Sequence, residues 1–202
     1  MTTETTDKPY IFYKYKSLNK TNFKFFIDII LNNRLHASIY KKMNDKMEGE
    51  YYGWIGEETF HDKLKEGKNE LKICSLGSSN DNPTLWEKYA NKKRGIAIGV
   101  IIGETYKIEP IQYVDESPFI SINNPNFQQQ DIKQTAEYIL SHKLKKWESE
   151  KEWRVFVEDC NDYVDVKVIE IIIGIKMDET DHNLIKRLVE KINPDIKVKK
   201  QE

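Results

Sequence analysis

Lys143-Leu-Lys-Lys-Trp147-Glu-Ser-Glu150-Lys-Glu152-Trp153-Arg154-Val-Phe-Val157 is the stretch on which the reading of this chain turns. From Glu152 to Val157 the residues alternate in character, which predicts a β-strand with Trp153, Val155 and Val157 on one face and Arg154 and Phe156 on the other. Glu150 and Glu152 lead into that strand on a common side, and Arg154 is expected on the opposite side or back across the edge. Carboxylates held at a strand mouth beside tryptophans sit at fixed distance from anything bound there. The preceding residues, Asp131 to about Trp147, read as one helix with Ile132, Ala136, Ile139 and Leu140 inward.

Working toward the N-terminus, Gly95–Ile102 and Tyr106–Val114 read as two strands joined by a turn at Gly103. Ser117–Phe127, with its prolines, reads as a long loop. Pro83 opens a short helix reaching about Asn91. Leu71–Ser75 is a strand ending in a loop dense in Ser, Asn and Asp. Glu57–Glu66 is a short helix, Asn44–Gly49 a turn, and Arg34–Tyr40 a strand. Phe23, Phe26, Ile27, Ile30 and Leu31 share one face of a helix capped by Thr21 or Asn22. Tyr10–Lys16 is a first strand, and residues 1–9 form a loose tail. Toward the C-terminus, Val168–Ile173 is a strand, Asp181–Ile192 a helix and Ile196–Val198 a last strand, a β-α-β unit that can add a parallel pair. Strands and helices do not alternate strictly. The expected fold is α+β: a single domain over residues 10–202, with a mainly antiparallel twisted sheet flanked by helices.

Composition limits the function classes. In 202 residues, 39% are hydrophobic, 32% charged and 11% aromatic, which supports a packed core. A formal net charge of -1 gives no global field toward nucleic acid or membrane. Basic runs at Lys92–Arg94, Lys143–Lys146 and Lys197–Lys200 read as solvated faces. Two distant cysteines, Cys74 and Cys160, argue against a disulfide framework and for a reducing cytoplasm. Residues 1–9 lack the pattern of a signal peptide, and no run approaches the length of a membrane span. The four histidines share no i, i+4 spacing and Cys-x-x-Cys is absent, so no metal site is expected. Neither a Gly-x-Ser-x-Gly elbow nor a glycine-rich phosphate loop occurs.

What remains are candidate ligand contacts. Ser75 ends a strand. Trp86 and Tyr89 share a helix face, as core or as an aromatic platform. Glu-x-Glu occurs three times, and only Glu150-Lys-Glu152 enters a hydrophobic strand.

Taken in order, Tyr13-Lys14-Tyr15, Asn44-Asp45-Lys-Met47-Glu48, Ser75, Trp86-Glu-Lys-Tyr89-Ala90, Lys93-Arg94-Gly95 and Trp147-Glu-Ser-Glu150-Lys-Glu152-Trp153-Arg154 resemble an uncharacterised bacterial family, catalogued as domain of unknown function 2971. Lys46-Met47 stands where that family favours Pro-Phe. A basic residue on the first strand, a serine on a middle strand and Glu-x-Glu entering a later one are also similar to the layout of ADP-ribosyltransferases. That resemblance implies NAD as substrate, without a metal. It implies Lys14 on the NAD phosphate, with Tyr15, Trp86, Tyr89 and Arg154 as further NAD contacts. Ser75 would steady the nicotinamide ribose, Glu152 would hold its 2′-hydroxyl, and Glu150 would lie beside the acceptor. It further implies a toxin or antiphage effector with a macromolecular acceptor, protein or nucleic acid, and an antitoxin or regulatory partner. A lysine replaces the arginine of that layout and cannot make its bidentate phosphate contact. The competing reading is a non-catalytic nucleotide or nucleic-acid module using Lys143, Lys145, Lys146 and Arg154.

Overall fold

The computed structural model describes residues 9–45, 47–55, 58–122, 129–158 and 162–202. Residues 1–8 of the expected tail, Lys46, Cys160 and residues 123–127 of the expected loop lie outside them. In chain order the elements are β1 (Phe12–Lys16), α1 (Lys20–Asn32), β2 (Arg34–His36), β3 (Ser38–Ile39), β4 (Tyr52–Ile55), α2 (Glu58–Glu70) and β5 (Leu71–Gly77). Then follow α3 (Pro83–Lys88), β6 (Ile96–Ile102), β7 (Ile108–Pro110), β8 (Gln112–Val114), β9 (Phe119–Ile122) and α4 (Gln129–Leu140). The chain closes with β10 (His142–Leu144), β11 (Glu152–Glu158), β12 (Tyr163–Ile173), α5 (Glu179–Ile192) and β13 (Lys197–Lys200). The fold is α+β, with mainly antiparallel pairing.

The chain forms two compact units, each built from non-adjacent segments. The first comprises Met1–Asn33, Ser78–Gly103 and Val166–Glu202; the second comprises Arg34–Gly77 and Glu104–Asp165.

In the first unit the strands run β13-β12-β6-β1. β1 and β12 both pair antiparallel with β6, while β12 and β13 are parallel, the pair that the β-α-β reading allowed. Tyr13, Tyr15, Leu85, Trp86, Ala90, Ala97 and Ile172 form a core cluster. Asn82 caps α3 by accepting from the N–H groups of Thr84 and Leu85, with Pro83 in the first turn. α1 is capped by Asn19, two or three residues ahead of the expected Thr21 or Asn22, and stopped by Asn33 in the left-handed region. Gly99 is bare for a reason: a Cβ there would lie 2.7 Å from Glu170 Cγ. That space admits a buried hydrogen bond from the Tyr13 hydroxyl to Glu170 (2.8 Å), whose other oxygen accepts from Lys199 (2.7 Å).

In the second unit β11 lies between β5 and β7, antiparallel to both, and β3 pairs with β5. β8 pairs parallel with β10, and β4 with β9. Tyr40, Leu64, Leu71, Ile73, Ile120, Ile132, Ala136, Ile139 and Leu140 make its core. α2 and α4 approach closely at Gly67, where a Cβ would meet Ile132 Cγ2 at 2.7 Å.

Several expectations are corrected. The helix expected to reach Trp147 ends at Leu140. Ser141 O accepts from Gln112 N (2.9 Å), β10 then pairs with β8, and Lys145–Glu150 form a 3-10 turn. The strand expected over Tyr106–Val114 is two strands with different partners, β7 on β11 and β8 on β10. The strand expected over Arg34–Tyr40 is two short ones, β2 pairing with the start of β12 and β3 with β5. Part of the expected 117–127 loop is β9.

Candidate functional site

β11 builds the site. Lys151, immediately before it, is in the left-handed conformation (φ 47°) and reverses the chain between the 3-10 turn and the strand. That reversal, not strand alternation, brings Glu150 to the side of Glu152. Glu152 and Arg154 are two apart in the strand and share a face, so the expectation that Arg154 lies opposite is corrected: its Nε donates to Glu152 Oε1 at 2.7 Å.

Arg154 is almost wholly buried. Its Nη1 and Nη2 donate to the two oxygens of Glu48 at 2.6 and 3.0 Å, and Nη1 also donates to Leu140 O. Lys143 supplies the second cation. Its Nζ lies 2.7 Å from Glu152 Oε2 and 2.9 Å from Glu150 Oε2, and 5.1 Å from the Trp147 ring centroid. The Tyr113 hydroxyl accepts from Glu152 N–H at 2.9 Å. Glu48, Glu150 and Glu152 thus face Arg154 and Lys143, all five side chains at most 8% exposed. Counted formally, these five side chains carry one more negative than positive charge.

Burial by itself would push the Glu152 carboxyl up. The charges of Arg154 and Lys143, with their hydrogen bonds, outweigh it and hold the group down at about 2. Burial likewise lowers Lys143, but Glu152 and then Glu150 reverse the sign and raise it.

A recess of ≈ 260 Å³, open solvent at its mouth included, adjoins the cluster. Its lining includes Asp45, Glu48, Gly49, Glu50, His142 and Lys143, whereas Ser75, Glu150, Glu152 and Arg154 are not part of it. Asp45 is buried, accepts from Met47 N–H at 3.2 Å and lies 3.8 Å from Lys146. Among the described residues, no group of three or more His, Cys, Asp or Glu is placed to hold a metal ion.

Of the residues selected from sequence, four come together in the second unit. Ser75 sits directly opposite Arg154 in the β5–β11 register, on the same face as Glu152, and Glu150 joins through Lys143. The other four belong to the first unit, and strand alternation divides them. Tyr15 packs with Trp86 and Tyr89, whereas Lys14, its neighbour on β1, projects from the opposite face. Trp86 is fully buried, meets Tyr15 edge-on at 5.2 Å and donates Nε1–H to Asn80 O at 2.7 Å. The Tyr15 hydroxyl donates to Ser79 O at 2.8 Å and accepts from Asn82 N. The face shared by Trp86 and Tyr89 is therefore core packing.

The nucleic-acid patch read from Lys143–Lys146 and Arg154 is also corrected. Lys143 and Arg154 are buried and fully engaged with carboxylates, while Lys145 pairs with Asp115 at 2.7 Å. Sequence reasoning missed Glu48 as the bidentate partner of Arg154. The one available signal was its place in the Asn44–Glu48 loop.

No family model, no curated protein and no solved structure matches this chain.

Proposed function

We propose that this chain is an NAD-consuming, ADP-ribosyltransferase-like bacterial enzyme, akin to the uncharacterised domain-of-unknown-function-2971 family. It would serve as a toxin or antiphage effector restrained by an antitoxin or regulatory partner. The carrying observation is the buried cluster of three carboxylates facing two cations, in which Glu152 and Arg154 share a sheet face with Ser75 while Glu48 and Lys143 reach the recess. A pre-organised anionic environment placed at the sugar favours the transition state, in which positive charge moves from the nicotinamide ring onto the ribose, over the ground state, in which that charge sits on the ring. Cleavage of a nicotinamide–ribose bond develops such charge on the sugar.

In this reading the carboxylate of Glu152 receives a ribose hydroxyl. Each of its oxygens holds one hydrogen bond from a cation and keeps a lone pair for a second. Ser75 orients the same sugar. Electrons of the breaking C–N bond pass to the nicotinamide nitrogen. A nucleophile of the macromolecular acceptor, or water, bonds to the vacated carbon and yields its proton to solvent. Lys14 is assigned to the phosphates by the resemblance alone.

A second reading has its own observation: both Glu152 oxygens already take a cation, which suits a fixed structural network lining a non-catalytic nucleotide pocket. The deciding experiment measures nicotinamide release and label transfer from NAD. Ser75→Ala and Glu152→Gln are compared with wild type, after circular dichroism and melting curves have shown that each variant folds. Loss of turnover in folded variants supports the enzyme. Equal release from wild type and Ser75→Ala, with NAD binding retained, supports the pocket.

A further inference from the structure

The first unit carries a feature that the site above leaves unused. Asn91, Lys92 and Lys93 have φ values of 47°, 55° and 68°. Residues with a Cβ visit the left-handed region singly, not in runs, and such strain persists only where surrounding structure enforces it. Here the enforcement is explicit. Lys92 N–H donates to Glu87 O at 3.3 Å, Lys93 N–H to Trp86 O at 3.2 Å, and Gly95 N–H to Ala90 O at 2.7 Å. The turn is then stitched to the segment after β12, with Gly174 N–H on Gly95 O (2.9 Å) and Lys176 N–H on Lys93 O (3.0 Å). Both glycines are required, since a Cβ on Gly95 would lie 2.3 Å from Lys16 O and one on Gly174 2.2 Å from Lys93 O.

The result is a charged end to the four strands of the first unit. Its last row of paired residues reads Lys200, Ile173, Ile96, Lys16, and the strained turn adds Lys92, Lys93 and Arg94 beside Lys176. Lys92, Arg94, Lys176 and Lys200 are exposed. The segments 88–95, 174–177 and 196–201 contain no Asp or Glu, and Glu87, Asp178, Asp195 and Glu202 flank them. At roughly 4.8 Å per strand, the row spans about 14 Å, enough for several phosphates of one nucleic-acid strand at ~3.4 Å per charge.

We infer that this end of the first unit binds the phosphodiester backbone of a nucleic acid, with Lys92, Lys93 and Arg94 as the central contacts. The stitched turn fixes the backbone of Lys92, Lys93 and Arg94, so no loop has to be ordered when phosphates arrive. The inference is independent of the NAD reading.

The left-handed backbone offers a clean test. Lys92→Gly with Lys93→Gly removes two charges at positions where glycine fits without strain, so the variant is expected to melt no lower than wild type. Arg94→Gln completes the set. Fluorescence anisotropy is read with a labelled DNA strand, its duplex and the matching RNA, over a salt series. The triple variant should bind at least tenfold more weakly. Its slope of log affinity against log salt should fall by about 2, from ~0.7–0.9 per lost phosphate contact. The preference among the three probes names the natural backbone. A control, Lys63→Gln with Lys65→Gln on the exposed side of α2, should leave binding unchanged. Triple-variant binding equal to wild type, a loss no greater than the control's, or binding to anionic vesicles in place of all three nucleic acids would overturn the inference.

Discussion

Replacing Arg154 by Met tests the electrostatic reading of the second unit. Methionine fills much of the arginine stem's volume, so packing changes little and charge changes most. The substitution strips four hydrogen bonds, three of them to Glu48 and Glu152. It leaves three buried carboxylates against Lys143 alone. Removing one partner of a buried ion pair costs about 3–5 kcal/mol, because the remaining charge stays desolvated. For a chain of this size that corresponds to roughly 6–20 °C in Tm. The deficit is read by urea unfolding at pH 7 and again at pH 4. It should shrink in acid, where the orphaned carboxylates take up protons and no longer need the guanidinium. Adding Glu48→Met to Arg154→Met restores the original excess of one negative charge and should recover more than half of the loss. A deficit under about 1 kcal/mol at pH 7, or one of equal size at both pH values, would refute the view that this network is a tightly coupled buried cluster.

Glu152 sets an acid limit in the wild-type protein. Its folded pKa is depressed to about 2 against 4.5 for the free group, so its contribution is complete above ~4.5 and is lost as pH falls toward ~2, about 3 kcal/mol in all. Unfolding free energies measured from pH 6 down to pH 2 should trace that loss, and Glu152→Gln should flatten the curve. Lys143 works at the opposite end: its raised pKa gives stability present below ~10.5 and lost only as alkaline pH rises through the folded value. Lys151 occupies the left-handed region at φ 47°, so Lys151→Gly should raise stability by roughly 0.5–1 kcal/mol. Lys151→Val should lower it by more than that, as thermal melts of the pair will tell.

Much of the fold was legible because its signals are local. The alternation of Glu152–Val157, the Asn-Pro start of α3 and the closing β-α-β unit each depend on neighbours a few residues away. The end of α4 was hidden for the same reason. Lys143–Lys146 are good helix formers, and only the pairing of β10 with β8 and the need to seat the Lys143 ammonium between two buried carboxylates override them. β4 and β9 are four-residue strands in a parallel pair, with no hairpin turn to announce them. The pairing of Glu48 with Arg154 was not legible, because the two lie 106 residues apart. Lys14 beside Tyr15 teaches the opposite lesson. Adjacent letters suggested one site, and the period of a β-strand assigns them to different faces.

The interleaving of the two units bears on how the protein is made. The chain passes between them four times, at residues 33/34, 77/78, 103/104 and 165/166. On a ribosome, every segment of the second unit exists once Asp165 has emerged. The first unit then still lacks Val166–Ile173 of β12, the strand against which β6 and β13 both pair. The half bearing the ionic cluster can therefore mature before the half bearing the basic end. A nonsense codon just past residue 166 would release a chain whose β6 has lost β12 as its neighbour, while all the charges around Arg154 remain encoded.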